Sequence, residues 1–599
     1  MGQGALPWVR QVEGHQVGQN RCVLLSNLVE TSAAVAATSA RNTKIEQIGA
    51  LLAGAEPGEV AVAVAFLSGE LLQGQIGVGY AALGGLLTAD ATRAADAASA
   101  VGEDASAADT AVAEIAEAVR ATDAMQDSGR PTPLTLTEVD AAFAVIGAVT
   151  GPGSVAQRRQ LLAALFARAT GREREFLVRL LAGDLRQGAL EGVMTDAVAR
   201  AGGVPAEEVR RAHQLGGSLP EVAEAALGGA GPAGTPEAGD EVPRSDQALA
   251  ALRGFTLRVG RPARPMLAAS APDVAAALAK ISPAAAEWKI DGIRIQVHRA
   301  GDEVAVFTRT LDDITARVPE IVEAALSLPV TAAVLDGEAV ALAPDGRPLP
   351  FQVTAARTAS QADVGRMRAQ TPLTPFLFDL LHLDGSDLID APASERHSRL
   401  SQIAPAALLV PRIVTADLAE AAAFFAGAVA RGHEGVVLKS LDAPYRAGRR
   451  GGEWIKVKPR HTLDLVILAA EWGHGRRRGV LSNLHLGARD PETGGLVMLG
   501  KTFKGLTDEM LSWQTARLLG LADPPVHITA DADRRQAYGV VRVRPELVVE
   551  IAFDGVQASR RYPGGLALRF ARVLRFRPDK KAADADTIDA VRAVWSGEA

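Results

Sequence analysis

The chain has 599 residues, enough for several domains, and its 48% hydrophobic content excludes wholesale disorder. A net charge of -7 excludes a uniformly basic coat for nucleic acid, although local clusters of lysine and arginine can still bind phosphates. The single cysteine, Cys22, excludes an intramolecular disulfide and a cysteine-rich zinc site.

The N-terminus lacks the basic-then-apolar pattern of a signal peptide, and the sequence has no apolar run of about twenty residues. We therefore expect a soluble, cytoplasmic protein that does not enter a membrane. Residues 1–22 read poorly as the start of a domain, and Val23-Leu24-Leu25 reads better. We interpret residues 1–22 as a leader or a disordered segment.

Residues 23–227 are predicted to be helical. Phe176, Leu177, Leu180 and Leu181 recur at helical spacing and mark one apolar face. Residues 90–128 are rich in alanine, and their periodicity does not decide between surface helices and a mobile segment.

A sharp turn at residues 151–154, Gly-Pro-Gly-Ser, precedes Arg158-Arg159. Ser154 is a candidate N-cap for the helix that follows. Helix N-terminal amides beside arginines suit a phosphate backbone, but an ordinary interhelical turn explains the pattern equally well.

Residues 228–255 are predicted to form a linker, because the glycine, proline and acidic residues at its start cannot bury enough apolar surface. From residue 256 to 460 strands and short helices mix. Ile293, Ile295 and Val297 alternate before the Gly301-Asp302 turn, as in a hairpin. Residues 461–599 are rich in strands again and suit a small β-barrel.

The most informative stretch is residues 287–294, Glu-Trp-Lys-Ile-Asp-Gly-Ile-Arg. If this stretch is a strand, Trp288 and Ile290 point to one face and Lys289 projects alone into a cleft on the other. Burial and neighbouring cations or metal would lower the pKa of Lys289 and free its amine as a nucleophile. The alternative is a solvated surface lysine.

Two glutamates are candidate metal ligands. Glu338 follows Asp336-Gly337, read as a turn after an apolar stretch, and Glu434 precedes the apolar residues 435–438. Carboxylates at strand ends can bring Mg²⁺ to a triphosphate. Taken singly, each is also consistent with an ordinary turn or edge acid.

The remaining candidates are cations and one aromatic residue. Lys456 and Lys458 alternate, so both would face the cleft and could hold an α-phosphate. Phe378 lies in an apolar strand and could cover a nucleobase, although a core position is the simpler interpretation. His474 and the arginines at 476–478 form a basic loop that is either a phosphate contact or a solvated loop.

As an ordered set, these motifs resemble the covalent nucleotidyltransferase superfamily, and within it the ATP-dependent DNA ligases of the archaeal and bacterial three-domain type. The resemblance covers nearly the whole chain from Val23, and residues 176–188 are similar to the family's most recognisable helical segment. It implies an all-α N-terminal DNA-binding domain, an α+β nucleotidyltransferase domain of ATP-grasp-like adenylation type, and a C-terminal OB-fold β-barrel. These would be residues 23–227, 256–460 and 461–599.

The resemblance also implies roles for individual residues. Lys289 would carry the adenylate, Glu287 would read adenine and Phe378 would stack on it. Glu338 and Glu434 would occupy the metal and ribose positions. The positions that match other binding residues of the family are Asp291, Arg294, Arg309, Lys456, Lys458, Arg569, Arg572, Arg577, Asp579 and Lys580. Two departures remove no catalytic group: Ala571 stands where proline is common, and Thr308 stands where serine is common.

The predicted function is the sealing of 5′-phosphate/3′-hydroxyl nicks in duplex DNA with ATP and Mg²⁺, through lysyl-AMP and DNA-adenylate, by a monomer without zinc. The C-terminal motif of Arg569, Arg572, Arg577, Asp579 and Lys580 would act on the leaving pyrophosphate after movement about a hinge near Arg460-His461. RNA ligase and capping-type guanylyltransferase remain alternatives, as does a DNA-binding scaffold with a decayed site. An NAD⁺-dependent ligase is disfavoured, because one cysteine cannot build that class's zinc module.

Overall fold

The computed structural model of the chain describes residues 22–78, 133–185, 187–189, 191–216, 218–228, 243–360, 363–446, 452–473, 477–525 and 539–596. The predictions for residues 1–21, for the alanine-rich stretch 90–128, and for His474 and Arg476 lie outside the described residues. No helix in the described ranges is long and apolar enough to cross a membrane.

The N-terminal part of the described chain is helical, as the spacing of its apolar residues predicts. The buried faces of these helices form one core, which includes Leu28, Phe143 and Leu177. We call this part the helical region. Its helices are α1 (Leu25–Ala37), α2 (Arg41–Ala53), α3 (Glu59–Ser68), α4 (Leu136–Ala148), α5 (Ser154–Arg168), α6 (Gly171–Leu181), α7 (Glu191–Gly202), α8 (Ala206–Gly216), α9 (Leu219–Leu227) and α10 (Arg244–Arg253).

Two local predictions for this region need correction. The N-cap of α5 is Gly153, and Ser154 is already helical, so the predicted serine cap is wrong. Helix α10 lies inside the predicted linker, and its Ala248 and Leu252 are buried in the helical core. The glycine- and proline-rich composition ends before Arg244, and apolar residues four apart then allow a helix to pack.

Residues 269–458, the central region, contain two sheets. Their strands are β1 (Ala269–Ser270), β2 (Ala284–Trp288), β3 (Ile293–Ala300), β4 (Glu303–Thr308), β5 (Ala332–Ala341), β6 (Leu373–Leu383), β7 (Ser386–Asp387), β8 (Arg412–Thr415), β9 (Val436–Ser440) and β10 (Trp454–Val457). One sheet has the strand order β4-β3-β5-β6-β7 and the other β1-β10-β9-β2-β8, and every pair is antiparallel except β1 with β10. The helices are α11 (Val274–Leu278), α12 (Pro319–Leu326), α13 (Phe351–Ala359), α14 (Val364–Gln370), α15 (Ala393–Ile403) and α16 (Leu418–Ala430).

The alternation of apolar residues predicted the β3–β4 hairpin, and the two strands pair around Gly301 and Asp302. The turn predicted at Asp336-Gly337 is wrong, because β5 runs through both residues. A Cβ atom on Gly337 would lie 2.9 Å from the carbonyl oxygen of Phe376 on β6. Glycine at this position therefore allows two strands to approach closely and does not end a strand.

Residues 461–596, the C-terminal region, are rich in strands. The described pairings give a six-stranded sheet of order β13-β12-β11-β15-β18, in which β14 also pairs with β11, and a hairpin of β16 and β17. No pairing among the described strands closes this sheet into a barrel. The elements are β11 (His461–Trp472), β12 (Leu481–Arg489), β13 (Leu496–Thr502), α17 (Asp508–Gly520), β14 (Val540–Arg542), β15 (Val548–Phe553), β16 (Gly555–Ala558), β17 (Leu566–Arg569), β18 (Arg572–Phe576) and α18 (Ile588–Ser596).

Helix α8 joins the helical region to the central region. The guanidinium of Arg211 donates two hydrogen bonds to the carboxylate of Asp390, at 2.7 and 2.6 Å. The amide of Gln214 donates to the backbone carbonyl of Tyr445 at 3.0 Å. Leu215 is buried in the same cluster as Tyr445. The two regions are therefore held together by a buried contact as well as by the chain.

Candidate active site

A cavity of about 1150 Å³ opens between the two central sheets and the C-terminal region. Most of the predicted site residues line it. From the central region these are Glu287, Lys289, Asp291, Arg294, Arg309, Glu338, Phe378, Glu434, Lys456 and Lys458, and from the C-terminal region they are Arg569 and Arg572. Lys439, Trp454, Lys504, Asp554 and Phe570 line it as well.

Lys289 follows the end of β2 and is not part of the strand that the sequence predicted. Its backbone is held on both sides, because its N–H donates to the carbonyl of Gly435 at 2.8 Å and its carbonyl accepts from the N–H of Glu434 at 3.0 Å. The Lys289 ammonium lies 2.5 Å from the carboxylate of Glu434. The two predicted motifs are therefore joined through backbone and side chain.

The close approach of the segment that carries Glu434 to strand β10 depends on Gly435. Its φ is 121°, and a Cβ atom would lie 2.2 Å from the carbonyl oxygen of Val457 on β10. Any other residue would force β9 and β10 apart. The sequence Glu434-Gly435 therefore brings the segments of Lys289, Glu434 and Lys458 together.

The charges around Lys289 differ from the prediction. Burial acts to lower the pKa of this amine, but the carboxylates of Glu434 and Glu338 outweigh burial and raise the pKa above its usual value. The sequence suggested the opposite direction because it counted neighbouring cations. In the structure the ammonium of Lys458 lies 2.8 Å from the carboxylate of Glu434. The charge of Lys458 is therefore paired with the same carboxylate that Lys289 contacts.

Glu434 lies between two ammonium groups. Burial alone would raise its pKa, but Lys289 and Lys458 lower it to about 2. Glu338 lies on β5 opposite Arg294 on β3, and its pKa is raised to about 7, chiefly because burial disfavours the charged form. Any additional positive charge at this point would favour the ionised form of Glu338.

The two glutamates fit a magnesium site in donor type. Mg²⁺ binds carboxylate oxygens together with substrate phosphates and water, and needs only one or two protein carboxylates. Among the described residues no cluster of three or more histidine, cysteine or acidic side chains forms a protein-only metal cage. Two carboxylates at a cation-lined cavity are consistent with a metal that arrives with a phosphorylated substrate.

The cavity lining also carries aromatic rings and a buried carboxylate. The rings of Phe378 and Trp454 meet edge to face, with centroids 6.0 Å apart. Glu287 on β2 is 3% exposed. Its carboxylate lies 2.6 Å from the ammonium of Lys439 and 3.4 Å from the guanidinium of Arg412. A flat base can therefore meet both a stacking surface and hydrogen-bond acceptors.

Arg294 has a largely internal role. Its guanidinium donates to both carboxylate oxygens of Asp336, at 3.0 and 2.6 Å, and to the carbonyl of Met266 at 2.6 Å. The hydroxyl of Tyr445 also donates to Asp336, at 2.6 Å. Burial works against the charged guanidinium, but Asp336 raises the pKa of Arg294 above its usual value. Arg294 thus borders the cavity while supporting its wall.

The C-terminal region contributes a second set of charges. Arg569 pairs with Asp291 across the two regions at 3.2 Å. Asp554 lies 3.8 Å from Lys458 and 4.0 Å from Arg572. Lys504 also lines the cavity.

Arg577 and Lys580 are not brought to the cavity. Both donate to the carboxylate of Asp464 on β11, at 2.8 and 2.6 Å, and Arg577 also binds Asp579. The sequence grouped these cations with Lys289 by motif, but their local partners in the C-terminal region decide where they lie.

Sequence reasoning missed several lining residues. Lys439 directly follows the apolar residues 435–438 that come after Glu434, and a charged residue at the end of an apolar stretch was the available signal. Trp454 lies two residues before Lys456, and alternation along β10 places both side chains on the same face of the strand. Lys504 and Asp554 carry no comparable local pattern.

Three family models match consecutive parts of the chain. A model described as DNA ligase N terminus matches residues 24–237. One described as ATP dependent DNA ligase domain matches residues 265–458, and one described as ATP dependent DNA ligase C terminal region matches residues 477–580.

Relatives are similar over nearly the whole chain. A probable DNA ligase of Mycobacterium marinum is 53% identical over 576 residues, which cover 96% of this chain and 100% of the relative. A probable DNA ligase of Anaeromyxobacter sp. is 52% identical over 570 residues, which cover 95% of this chain and 98% of the relative. Among solved structures, one described as Pmar-Lig_PreS3 covers 92% of this chain and 99% of its own, with a TM-score of 0.54 and 16% identity. That likeness extends the shared fold beyond the central region.

Proposed function

The chain belongs to the ATP-dependent DNA ligases, and we propose that it joins 5′-phosphate and 3′-hydroxyl ends at nicks in duplex DNA with Lys289 as the covalent nucleophile. One observation supports this role for Lys289 above all. Lys289 lines the same cavity as the edge-to-face rings of Phe378 and Trp454 and the buried carboxylate of Glu287. We propose that the base lies against these rings and that the α-phosphate lies beside Lys289, Lys456 and Lys458.

The reaction has three displacements at phosphorus. The amine of Lys289 attacks the α-phosphate of ATP, forms a nitrogen–phosphorus bond, loses a proton and releases pyrophosphate. A 5′-phosphate oxygen of the nick then attacks the AMP phosphorus, and the lysine leaves. Finally the 3′-hydroxyl attacks the activated 5′-phosphate, loses its proton and releases AMP. In all three steps the protein acts mainly by positioning and by neutralising charge.

Before the first step Lys289 must lose its proton and its ion pair with Glu434. Glu338 and Glu434 are the residues that would hold Mg²⁺, whose charge neutralises phosphate oxygens and lowers the basicity of nearby amines. When Glu434 turns from Lys289 toward another cation, the carboxylate that raises the pKa of the amine is withdrawn. Lys458 remains nearby to contact the α-phosphate, with Lys456 two residues earlier on β10.

Nucleotide binding divides between the two ends of the cavity. We assign Glu287 and Phe378 to the adenine, with Arg294 supporting that wall and Arg309 at the rim. Arg572 faces the phosphate end. Arg577 and Lys580 would reach the β- and γ-phosphates only after the C-terminal region turns about the joint at Arg460-His461.

The helical region is proposed to bind the duplex, with phosphate contacts dominating its affinity. The C-terminal strands are proposed to complete an OB-fold barrel that adds a second DNA-binding face. We propose a cytoplasmic monomer that binds no zinc. ATP, Mg²⁺ and nicked duplex DNA are the proposed ligands.

The direct test is labelling of the protein with ATP, GTP and NAD⁺ that carry an α-phosphate or adenylate label. Covalent label from ATP alone, retained after denaturation of the protein and lost in Lys289→Ala, is the expected result. A chase with nicked DNA and nicked RNA of one sequence should transfer the label to DNA. Label from GTP would favour a capping-type guanylyltransferase, and transfer to RNA alone would favour an RNA ligase.

A further inference from the structure

Lys439 is a buried cation that the reaction scheme leaves without a role. It lies on β9, between Ala285 on β2 and Trp454 on β10, and is 4% exposed. A lysine is almost never buried to this extent unless its charge is paired. Its partners therefore indicate what it is for.

The ammonium of Lys439 contacts both groups that the base end of the cavity offers. It lies 2.6 Å from a carboxylate oxygen of Glu287, and it donates to the backbone carbonyl of Phe378 at 3.2 Å. It also lies 4.5 Å from the centroid of the Phe378 ring and 4.2 Å from that of Trp454. One side chain thus fixes a hydrogen-bonding group and a stacking ring.

These contacts cross between two sheets. Glu287 and Lys439 belong to the sheet of β2 and β9, whereas Phe378 belongs to β6 in the other sheet. Movement of the sheets against each other would separate the carboxylate from the ring. Lys439 therefore sets the spacing between the two sides of the base-binding end.

Lys439 also determines the hydrogen-bonding character of Glu287. An ionised carboxylate only accepts hydrogen bonds, and its two oxygens have acceptor sites left after Lys439 and Arg412 are bound. Adenine presents an amino group to such an acceptor, whereas guanine presents a carbonyl oxygen at the equivalent position. Without Lys439, the guanidinium of Arg412, at 3.4 Å, would remain to hold the carboxylate in this position.

We infer that Lys439 is a positioning residue for nucleobase selection, which holds the carboxylate of Glu287 as a hydrogen-bond acceptor at a fixed distance from the Phe378 ring. The inference rests on the proposed function, because it assumes that the base of the nucleotide binds between these two groups. It assigns Lys439 no contact with the reacting phosphate.

The test compares protein–AMP and protein–GMP formation in the full-length chain and in Lys439→Met. The variant should raise the KM for ATP about tenfold, the loss expected when a charge-assisted contact is removed. The preference for ATP over GTP should fall by a similar factor or more. The rate of protein–AMP formation at saturating ATP should change less than the KM for ATP, because Lys439 is assigned no contact with the reacting phosphate.

Two controls separate positioning from general destabilisation. Arg357 forms a buried ion pair with Glu320 at 3.1 Å outside the cavity lining, so Arg357→Met should lower thermal stability without altering the ATP-to-GTP ratio. Lys439→Arg keeps the positive charge and should restore part of the preference. If Lys439→Met does not fold, Lys439→Gln removes the charge while keeping a donor and gives the same comparison.

A double-mutant cycle tests the shared cause. Glu287→Gln should also reduce the preference for ATP, and adding Lys439→Met to it should cost little more, because both act through one carboxylate. An unchanged ATP-to-GTP ratio in a folded Lys439 variant would overturn the inference. A wild-type chain that takes no label from ATP would instead remove the proposed function, so the two failures are distinguishable.

Discussion

The lysines of the central region and the cations that follow β18 differ in what holds them. Lys289 and Lys458 meet on Glu434, which connects segments distant in sequence through one carboxylate. Arg577 and Lys580 meet on Asp464, which lies within their own region. The first arrangement assembles a site in place. The second keeps two cations together as a unit whose position depends on the orientation of the whole C-terminal region.

The comparison predicts different behaviour in the steps of ligation. The central lysines should matter whenever a phosphate occupies the cavity. The Asp464 group should matter only when its region turns toward the nucleotide. Four experiments test this difference.

The largest effect is expected from Lys289→Ala. Protein–AMP formation from ATP should fall by roughly 10⁴-fold or more, because no other group forms the covalent bond. Sealing of a nick that already carries AMP should fall far less, since the lysine is not the nucleophile there. Thermal unfolding serves as the control for folding. A variant that still takes up label would place the covalent site elsewhere.

The next largest effects are expected at Glu338 and Glu434. Each alanine substitution should slow sealing by about 100-fold, and excess Mg²⁺ should rescue it only weakly, because concentration does not restore position. Glu303→Ala is a matched control, since Glu303 is an exposed acid on β4 outside the cavity lining. Titration of sealing against Mg²⁺ measures the effect. Full activity in either variant would remove that glutamate from the site.

A smaller, selective effect is expected from Lys580→Ala. Self-adenylation should slow about tenfold, as for loss of one charge-assisted contact, while single-turnover sealing of pre-adenylated nicks should be nearly unchanged. Asp464→Asn should show the same selectivity if its role is to keep Arg577 and Lys580 together. Equal slowing of both steps would mean that the group serves folding or DNA contact.

The smallest effect on activity is expected from Glu471→Gln. Burial would raise the pKa of Glu471, but hydrogen bonds from His485 and Lys501 lower it from 4.5 to about 2. Because the pKa of Glu471 is lower in the folded state than in the unfolded state, the ionised carboxylate stabilises the fold at pH values above the unfolded pKa. This stabilisation is lost as the pH falls toward about 2. The variant should therefore lose up to about 3 kcal/mol of stability at neutral pH and show less acid sensitivity between about pH 5 and 2. Denaturant unfolding across this range measures it, and selective slowing of adenylation would contradict a purely structural role.

Local patterns predicted the elements and many of the lining residues. Alternation identified the β3–β4 hairpin, and the order of motifs placed Lys289, Glu434 and Lys458 at one cavity. Local sequence patterns gave wrong predictions where the role of a residue depends on a contact with a distant part of the chain. Gly337 looked like a turn residue, but its lack of a side chain serves the approach of β6.

The same reason explains the electrostatic errors. The direction in which the pKa of Lys289 shifts depends on the carboxylates of Glu434 and Glu338. Their distances from the amine cannot be read from the sequence. The position of Arg577 depends on Asp464, which is more than one hundred residues away in sequence. The adenine-binding and DNA-binding roles of the named residues stay predictions.

Helix α10 packs against the helical region as well as linking it covalently to the central region. It follows the stretch 229–242 in sequence, yet its Ala248 and Leu252 are buried in the helical core. A chain cut within 229–242 would leave α10 on the fragment that carries Lys289, and that helix would still fit the core of the other fragment. The two pieces, supported by the Arg211–Asp390 pair, should therefore reassemble without a covalent link. Truncation within α10, by contrast, would expose apolar surface on both pieces.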